Sequence, residues 1–143
     1  MRWITHLGGA RVTLGIGLGL VALGQSRLGL AALLGNAGSH LLVQLLKRAV
    51  ARARPCDAGG RLLALVDLPD PHSFPSGHAA AATAVAATVA IAHPMIAPLA
   101  LPLAGIVSYS RVALRVHHWS DVLAGVALGL GGAIAAAYFL TLR

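Results

Sequence analysis

Phe74-Pro75-Ser76-Gly77-His78 followed by AAAATAVAATVAIA at residues 79–92 is the stretch whose reading decides the fold. A polar, turn-forming opening gives way at Gly77 to fourteen or so small apolar residues without a single charge, a composition that belongs in lipid rather than in water. Apolar runs recur on both sides of it. Helices of this kind need about 20 residues to cross the hydrocarbon core, and the chain supplies candidates near Ile4 to Leu23, Leu28 to Val50, Gly77 to Ala92, Met95 to Leu114 and Trp119 to Leu140. The expectation is an all-α, polytopic membrane bundle of about five transmembrane helices forming one domain over residues 1–143.

Composition points the same way. Of 143 residues, 57% are hydrophobic and 10% charged, with a mean hydropathy of +0.79, whereas soluble domains carry about 25% charged residues. The net charge of +7 would suit a nucleic-acid partner in a soluble chain. Its placement argues otherwise: Lys47, Arg48, Arg52, Arg54 and Arg61 crowd one segment and Arg111 and Arg115 another, aromatic residues are only 4%, and no base-reading module is present. The expected partners are therefore the bilayer and an anionic phosphate, not nucleic acid. Cys56 is the lone cysteine, which excludes an internal disulfide and a thiolate metal cluster. Arg2 and Arg11 ahead of an apolar stretch also fit a cleaved signal peptide; a retained helix is favoured because the rest of the chain is itself membrane-embedded.

Residues 55–76 interrupt the apolar pattern with Asp57, Gly59, Gly60, Asp67, Pro69, Asp70 and Pro71 and read as an extramembrane loop between the second and third helices, with a short interfacial helix over Leu62 to Val66 as one option inside it. Gly15, Gly17 and Gly19 resemble a phosphate loop only superficially, since no strand precedes them. Like Gly125 and Gly129, they are read as close-packing positions between helices in lipid.

Counting crossings brings the end of the second helix, the start of the third, the end of the fourth and the start of the fifth to one face of the membrane. Lys47, Arg54, Ser76, His78, Arg111, His117 and Asp121 all lie at those ends. Ionisable groups at membrane depth are costly, so a convergent set marks a functional site. Lys47 and Arg54, seven apart, share a face if the second helix continues to Pro55. Singly they could be snorkelling cations at a helix C-terminus. Ser76 and Gly77 open a helix whose free N–H groups suit an anion, although a plain serine N-cap is an equal reading. His117 and Asp121, four apart, allow the carboxylate to accept a hydrogen bond from the imidazole, which a nucleophilic histidine requires. His118 faces about 100° away and is read, with Trp119, as interfacial.

Together these blocks read Lys47-x6-Arg54-Pro55, Pro75-Ser76-Gly77-His78 and Ser110-Arg111-x5-His117-x3-Asp121. The chain resembles the type 2 phosphatidic acid phosphatase superfamily, by motif from Lys47 to Asp121 and by hydropathy on either side. Many bacterial members have about six spanning helices, so one is expected to be missing here. The resemblance implies a lipid phosphate or diphosphate phosphatase with His117 as nucleophile, Asp121 orienting it and His78 as general acid. Lys47, Arg54, Ser76, Gly77 and Arg111 would hold the phosphate. No metal or other cofactor is expected, because two-metal phosphatases use carboxylate-rich clusters and the motifs contain one carboxylate.

Two other classes stand beside this reading: a small transporter or proton-relay protein, whose ionisable groups should recur at mid-membrane depth, and an inert lipid-phosphate binder. Polyprenyl diphosphate, phosphatidylglycerol phosphate and phosphatidic acid all present a suitable phosphate. His6, His40, His72 and His93 match no motif. Bacterial relatives suggest a site on the outer face of the cytoplasmic membrane, whereas Arg2, Arg48, Arg52, Arg61 and Arg115 on that face, against Arg27 and Arg143 opposite, satisfy positive-inside counting for a cytoplasmic one. The outer face is the expectation carried forward, and the oligomeric state stays open.

Overall fold

The structure, a computed structural model, describes residues 1–55 and 70–140. The segment Leu62 to Val66, Cys56 and Arg61 fall outside the described residues. All regular structure within them is helical: α1 (Arg2–Thr5), α2 (Ala10–Ala22), α3 (Ser26–Val50), α4 (Gly77–Ala92), α5 (Ala97–Ala113) and α6 (Trp119–Leu140), with 3-10 turns at His6–Gly8 and Pro94–Ile96.

Three segments, Ser26–Val50, Pro94–Ala113 and Trp119–Leu140, are long and apolar enough to cross a membrane, while α2 and α4 are shorter apolar helices. Side-chain size is distributed inside out. The interior is built from Ala31, Ala32, Ala79, Ala80, Ala84 and Ala133, and large residues such as Leu18, Leu41, Leu99, Leu123 and Phe139 point outward. Water would penalise that surface and lipid would not. Small interiors also let backbones touch: a Cβ on Gly125 or Gly129 of α6 would stand 2.4 Å from the Ser76 or Ala80 carbonyl oxygen of α4. Gly17 likewise sits against Leu33 and Gly29 of α3, as a helix-packing glycine, whereas Gly15 and Gly19 face open space and are not close-packing positions. α4 ends up in the middle, packed against α2, α3, α5 and α6.

Two expectations are corrected. Ile4 to Leu23 is not one spanning helix: Gly9 is extended (φ −74°, ψ 155°) and separates α1 and its 3-10 turn from α2. Glycine at that point permits contact, since a Cβ on Gly8 would lie 2.8 Å from the His78 carbonyl oxygen. The second is the shared helical face of Lys47 and Arg54: the helix read from Leu28 ends at Val50 as expected, and Ala51 adopts a left-handed conformation (φ 47°) that leaves Arg54 outside it. Arg115 (φ 61°) does the same after α5. A left-handed conformation costs a non-glycine residue about 1–2 kcal/mol, and it occurs at the two turns that deliver Arg54 and His117.

Candidate active site

The ends of α3, α4, α5 and α6 meet as the crossing count requires. Beyond Ala51 the chain runs back over the helix ends, and the Ser73 N–H and hydroxyl donate to the Arg52 and Ala53 carbonyls at 2.8 and 2.9 Å. This fixes residues 52–54 against 70–73. Arg54 is thereby carried to the centre of the fold, where it is the largest fully buried side chain among the described residues, 1% exposed. Lys47 and Arg54 do converge, though not as neighbours on a helical face: Arg54 lies outside α3, and a carboxylate joins them.

That carboxylate is Asp70, which the sequence reading left as a turn former. Its Oδ1 accepts from Lys47 Nζ at 2.9 Å, Arg54 Nη2 at 3.2 Å and the His72 N–H at 3.0 Å. Its carbonyl accepts Arg54 Nε and Nη2 at 3.1 and 2.9 Å. Burial pushes the Asp70 pKa up, but the hydrogen bond and charge of Lys47, with Arg54 and the His72 N–H, outweigh it and hold the carboxyl below its ordinary value. The signal in the sequence was weak: Asp70 is one of three aspartates, with Asp57 and Asp67, in a loop near an excess of cations.

Ser76 caps α4: its oxygen accepts from the Ala79 N–H at 3.4 Å and its own N–H donates to the Asp121 carbonyl at 2.9 Å. It is wholly buried and is absent from the cavity wall, so the cap role is the one the structure displays. Gly77 does face the cavity, with no atom nearer to a would-be Cβ than Val43 Cγ1 at 3.7 Å and His40 Cε1 at 4.0 Å. The fold therefore accepts a methyl there while the cavity loses room in front of the helix N-terminus. Gly77→Ala is expected to unfold at an unchanged or higher temperature yet lose about 10²-fold in kcat/KM, the scale of a misplacement near 1 Å. Unchanged kinetics would deny Gly77 contact with substrate.

Arg111, in the last turn of α5, donates from Nη1 to the Thr5 hydroxyl, and its Nε is buried without a hydrogen-bond partner among the described residues. Thr5 was invisible to sequence reasoning, 106 positions away. An orphaned buried donor of this kind is expensive unless a ligand completes it.

His117 is 3% exposed and precedes α6. Its Nε2 lies 3.5 Å from Arg54 Nη1, and its Nδ1 lies 3.7 Å from Asp121 Oδ2, within ion-pair range but too long for a hydrogen bond. The fully buried Asp121 is occupied elsewhere: Oδ1 accepts from Arg52 Nη1 at 2.9 Å and Oδ2 from the His118 N–H at 2.7 Å. The latter is the back-reaching half of a capping box at the start of α6. Burial first, then the Arg111, Arg54 and Lys47 charges, depress the His117 pKa, with Asp121 opposing them. The His118 ring stays out of the cavity, and Trp119 is exposed beside Tyr109 with ring centroids 6.0 Å apart, as interfacial aromatics stand.

A cavity of about 770 Å³ gathers these groups; Lys47, Arg54, Gly77, His78, Arg111 and His117 line it, and Asp121 stands behind His117. Among the described residues, three cations face it against the single carboxylate of Asp70, a charge balance that suits an anion. Among the described residues no three His, Cys, Asp or Glu side chains are grouped to hold a metal. His93 lies at the opposite end, beside Gln25.

A family model described as the PAP2 superfamily matches residues 28–143. The chain is 40% identical over 113 residues to a decaprenylphosphoryl-5-phosphoribose phosphatase found in two strains of Mycobacterium tuberculosis, an alignment covering 78% of this chain and 62% of the relative's length. It is also similar to the crystal structure of a transmembrane PAP2 type phosphatidylglycerolphosphate phosphatase from Bacillus subtilis, with a TM-score of 0.76 and 31% identity over 96% of this chain and 73% of that one.

Proposed function

This chain belongs to the PAP2 superfamily, and from that premise we propose that it is a metal-independent lipid-phosphate phosphatase working through a phosphohistidine on His117. The observation that carries the reading is the environment of one imidazole. Nε2 of His117 is directed to Arg54 in a cavity with three cations, and Nδ1 is on the Asp121 side. With the proton on Nδ1, the Nε2 lone pair is the nucleophile.

In the first step Nε2 attacks phosphorus as the bond to the leaving oxygen breaks, and His78 gives that oxygen its proton. The imidazolium so formed is balanced by Asp121, whose 3.7 Å separation from Nδ1 has room to shorten when the ring carries charge. Lys47, Arg54 and Arg111 neutralise the non-bridging oxygens, and the free N–H groups at the start of α4 add donors beside them. Water then attacks the phosphohistidine, His78 takes its proton, and phosphate and neutral His117 are released. In this scheme Ser76 acts by shaping the start of α4.

The chain spans 62% of the mycobacterial relative's length. The names of both relatives describe a lipid bearing a terminal phosphate, on ribose in one and glycerol in the other. A lipid phosphate monoester or diphosphate is the proposed substrate, and the bacterial cytoplasmic membrane the proposed location, with the active end outward. Positive-inside counting against that orientation is weakened because Arg52 serves Asp121 rather than topology.

Purified protein assayed on a panel of lipid phosphates tests the function. Activity should persist in a chelator and be inhibited by vanadate, which mimics the five-coordinate transition state. A required divalent ion, or insensitivity to vanadate, would overturn the mechanism. Proton-coupled transport is the second class, and the cationic cavity at the helix ends argues against it: such a relay needs groups repeated across the bilayer.

A further inference from the structure

The cavity does not end at the groups that handle phosphate. It continues between α2 and α3, past Ala10, Thr13 and Leu14 on one side and Gln44, His40 and Asn36 on the other. Asn36, His40, Gln44 and Lys47 follow one another at intervals of four, four and three residues, which is a single helical face. At about 1.5 Å rise per residue, Gln44, His40 and Asn36 stand about 4.5, 10 and 16 Å below the level of Lys47.

Polar side chains along a membrane helix are costly unless they are used. Asn36 has a structural use, because its amide donates to the Thr13 hydroxyl at 3.2 Å and so joins α3 to α2. His40 and Gln44 join nothing of the kind. Their one hydrogen bond among the described residues is to each other, the Gln44 amide donating to His40 Nε2 at 3.1 Å. An accepting Nε2 puts the His40 proton on Nδ1, and the Gln44 carbonyl remains an acceptor. His40 is exposed and Gln44 half-buried, both on the cavity wall.

In the proposed reaction the leaving group departs in this direction. A Cβ on Gly9 would lie 3.8 Å from His78 Nε2, and its neighbours Gly8 and Ala10 line the cavity with His78, so the groove beside α2 starts at the atom assigned to protonate the leaving oxygen. The first atoms beyond the scissile bond therefore pass between α2 and the His40–Gln44 pair, and the apolar rim of Leu14, Ala37 and Leu41 follows.

We propose that His40 and Gln44 form a subsite for a hydroxyl-bearing polyol that separates the terminal phosphate from the lipid chain, which makes the substrate a polyol phosphate of a lipid and not a phosphate esterified directly to hydrocarbon. The proposal rests on the phosphatase reading above. Methylene groups in that place would cover a donor and an acceptor without satisfying either, and sites built to bond a hydroxyl discriminate strongly against analogues lacking it.

The test compares phosphatidylglycerol phosphate with its analogue lacking the headgroup hydroxyl, at equal acyl chains and in the same detergent, for the wild-type protein and for His40→Ala and Gln44→Leu. The ratio of the two kcat/KM values cancels any loss of folded protein. In the wild type it should favour the hydroxyl by about 10-fold or more, and in both variants it should fall towards one. A wild-type ratio near one, or a ratio that survives both substitutions, overturns the subsite while leaving the phosphatase in place. Failure of the wild type to hydrolyse either lipid or phosphatidic acid would overturn the phosphatase reading, and the subsite with it.

Discussion

Replacing His117 by alanine is expected to abolish turnover, with kcat falling by about 10⁴-fold or more, the scale seen when a nucleophile is removed from a site whose binding groups remain. The fold should survive. Among the described residues the ring makes only two polar approaches, 3.5 Å to Arg54 and 3.7 Å to Asp121, and Asp121 keeps Arg52 and the His118 N–H without it. An unfolding temperature close to wild type, together with loss of turnover and of an acid-labile phosphoprotein trapped during turnover, is the expected result. Residual activity within a factor of about 10 would remove His117 from the nucleophilic role; among the described residues no other imidazole on the cavity wall pairs with a carboxylate. The environment also favours the neutral form that the proposed attack requires. Burial and the surrounding cations lower the His117 pKa from 6.5, so the deprotonated ring persists at a lower pH than a free imidazole would.

Arg54→Lys should be the next most damaging change, although it conserves charge. The guanidinium of Arg54 serves three directions at once: the Asp70 carbonyl and carboxylate, the Val116 carbonyl at 2.9 Å, and His117 Nε2. A lysine ammonium reaches one of these and leaves buried carbonyls without a donor. We expect a stability loss of about 2 kcal/mol from the unpaired groups and a fall in kcat/KM of about 10²–10³-fold, typical of removing a preorganised donor from a developing negative charge. Thermal unfolding and lipid-phosphate kinetics on the same preparation separate the two effects. Near wild-type kinetics would mean that positive charge alone suffices and that the fork geometry is irrelevant to catalysis.

Asp70 gives Arg54 and Lys47 their shared anchor, and it shows where sequence reasoning reaches its end. The motif cations are spaced at seven residues, which suggested a helical face; the left-handed turn at Ala51 takes Arg54 off that helix. Nothing in Ala51-Arg52-Ala53-Arg54 announces that turn, whereas Pro55 is a conspicuous stop. The break in the first apolar segment was more legible. Gly8-Gly9 is a turn signal, but hydropathy averaged over about 20 residues passes across it. The pairing of Thr5 with Arg111 left no mark at all, because the hydroxyl reaches the guanidinium only when α1 folds against the end of α5.

From sequence alone came the membrane-embedded helical bundle, the positions of its later apolar segments and the gathering of the motif residues at one end. Hydropathy and turn chemistry are properties of neighbours along the chain, and the number of crossings fixes which ends coincide. Tertiary structure decided which groups meet once they are there: Asp70 between two cations, Thr5 under Arg111, Arg52 and the His118 N–H on Asp121, and the polar face of α3 along the cavity. Those pairings depend on how closely the helices approach one another, which small residues such as Gly125 and Gly129 set, and no local pattern in the chain encodes them.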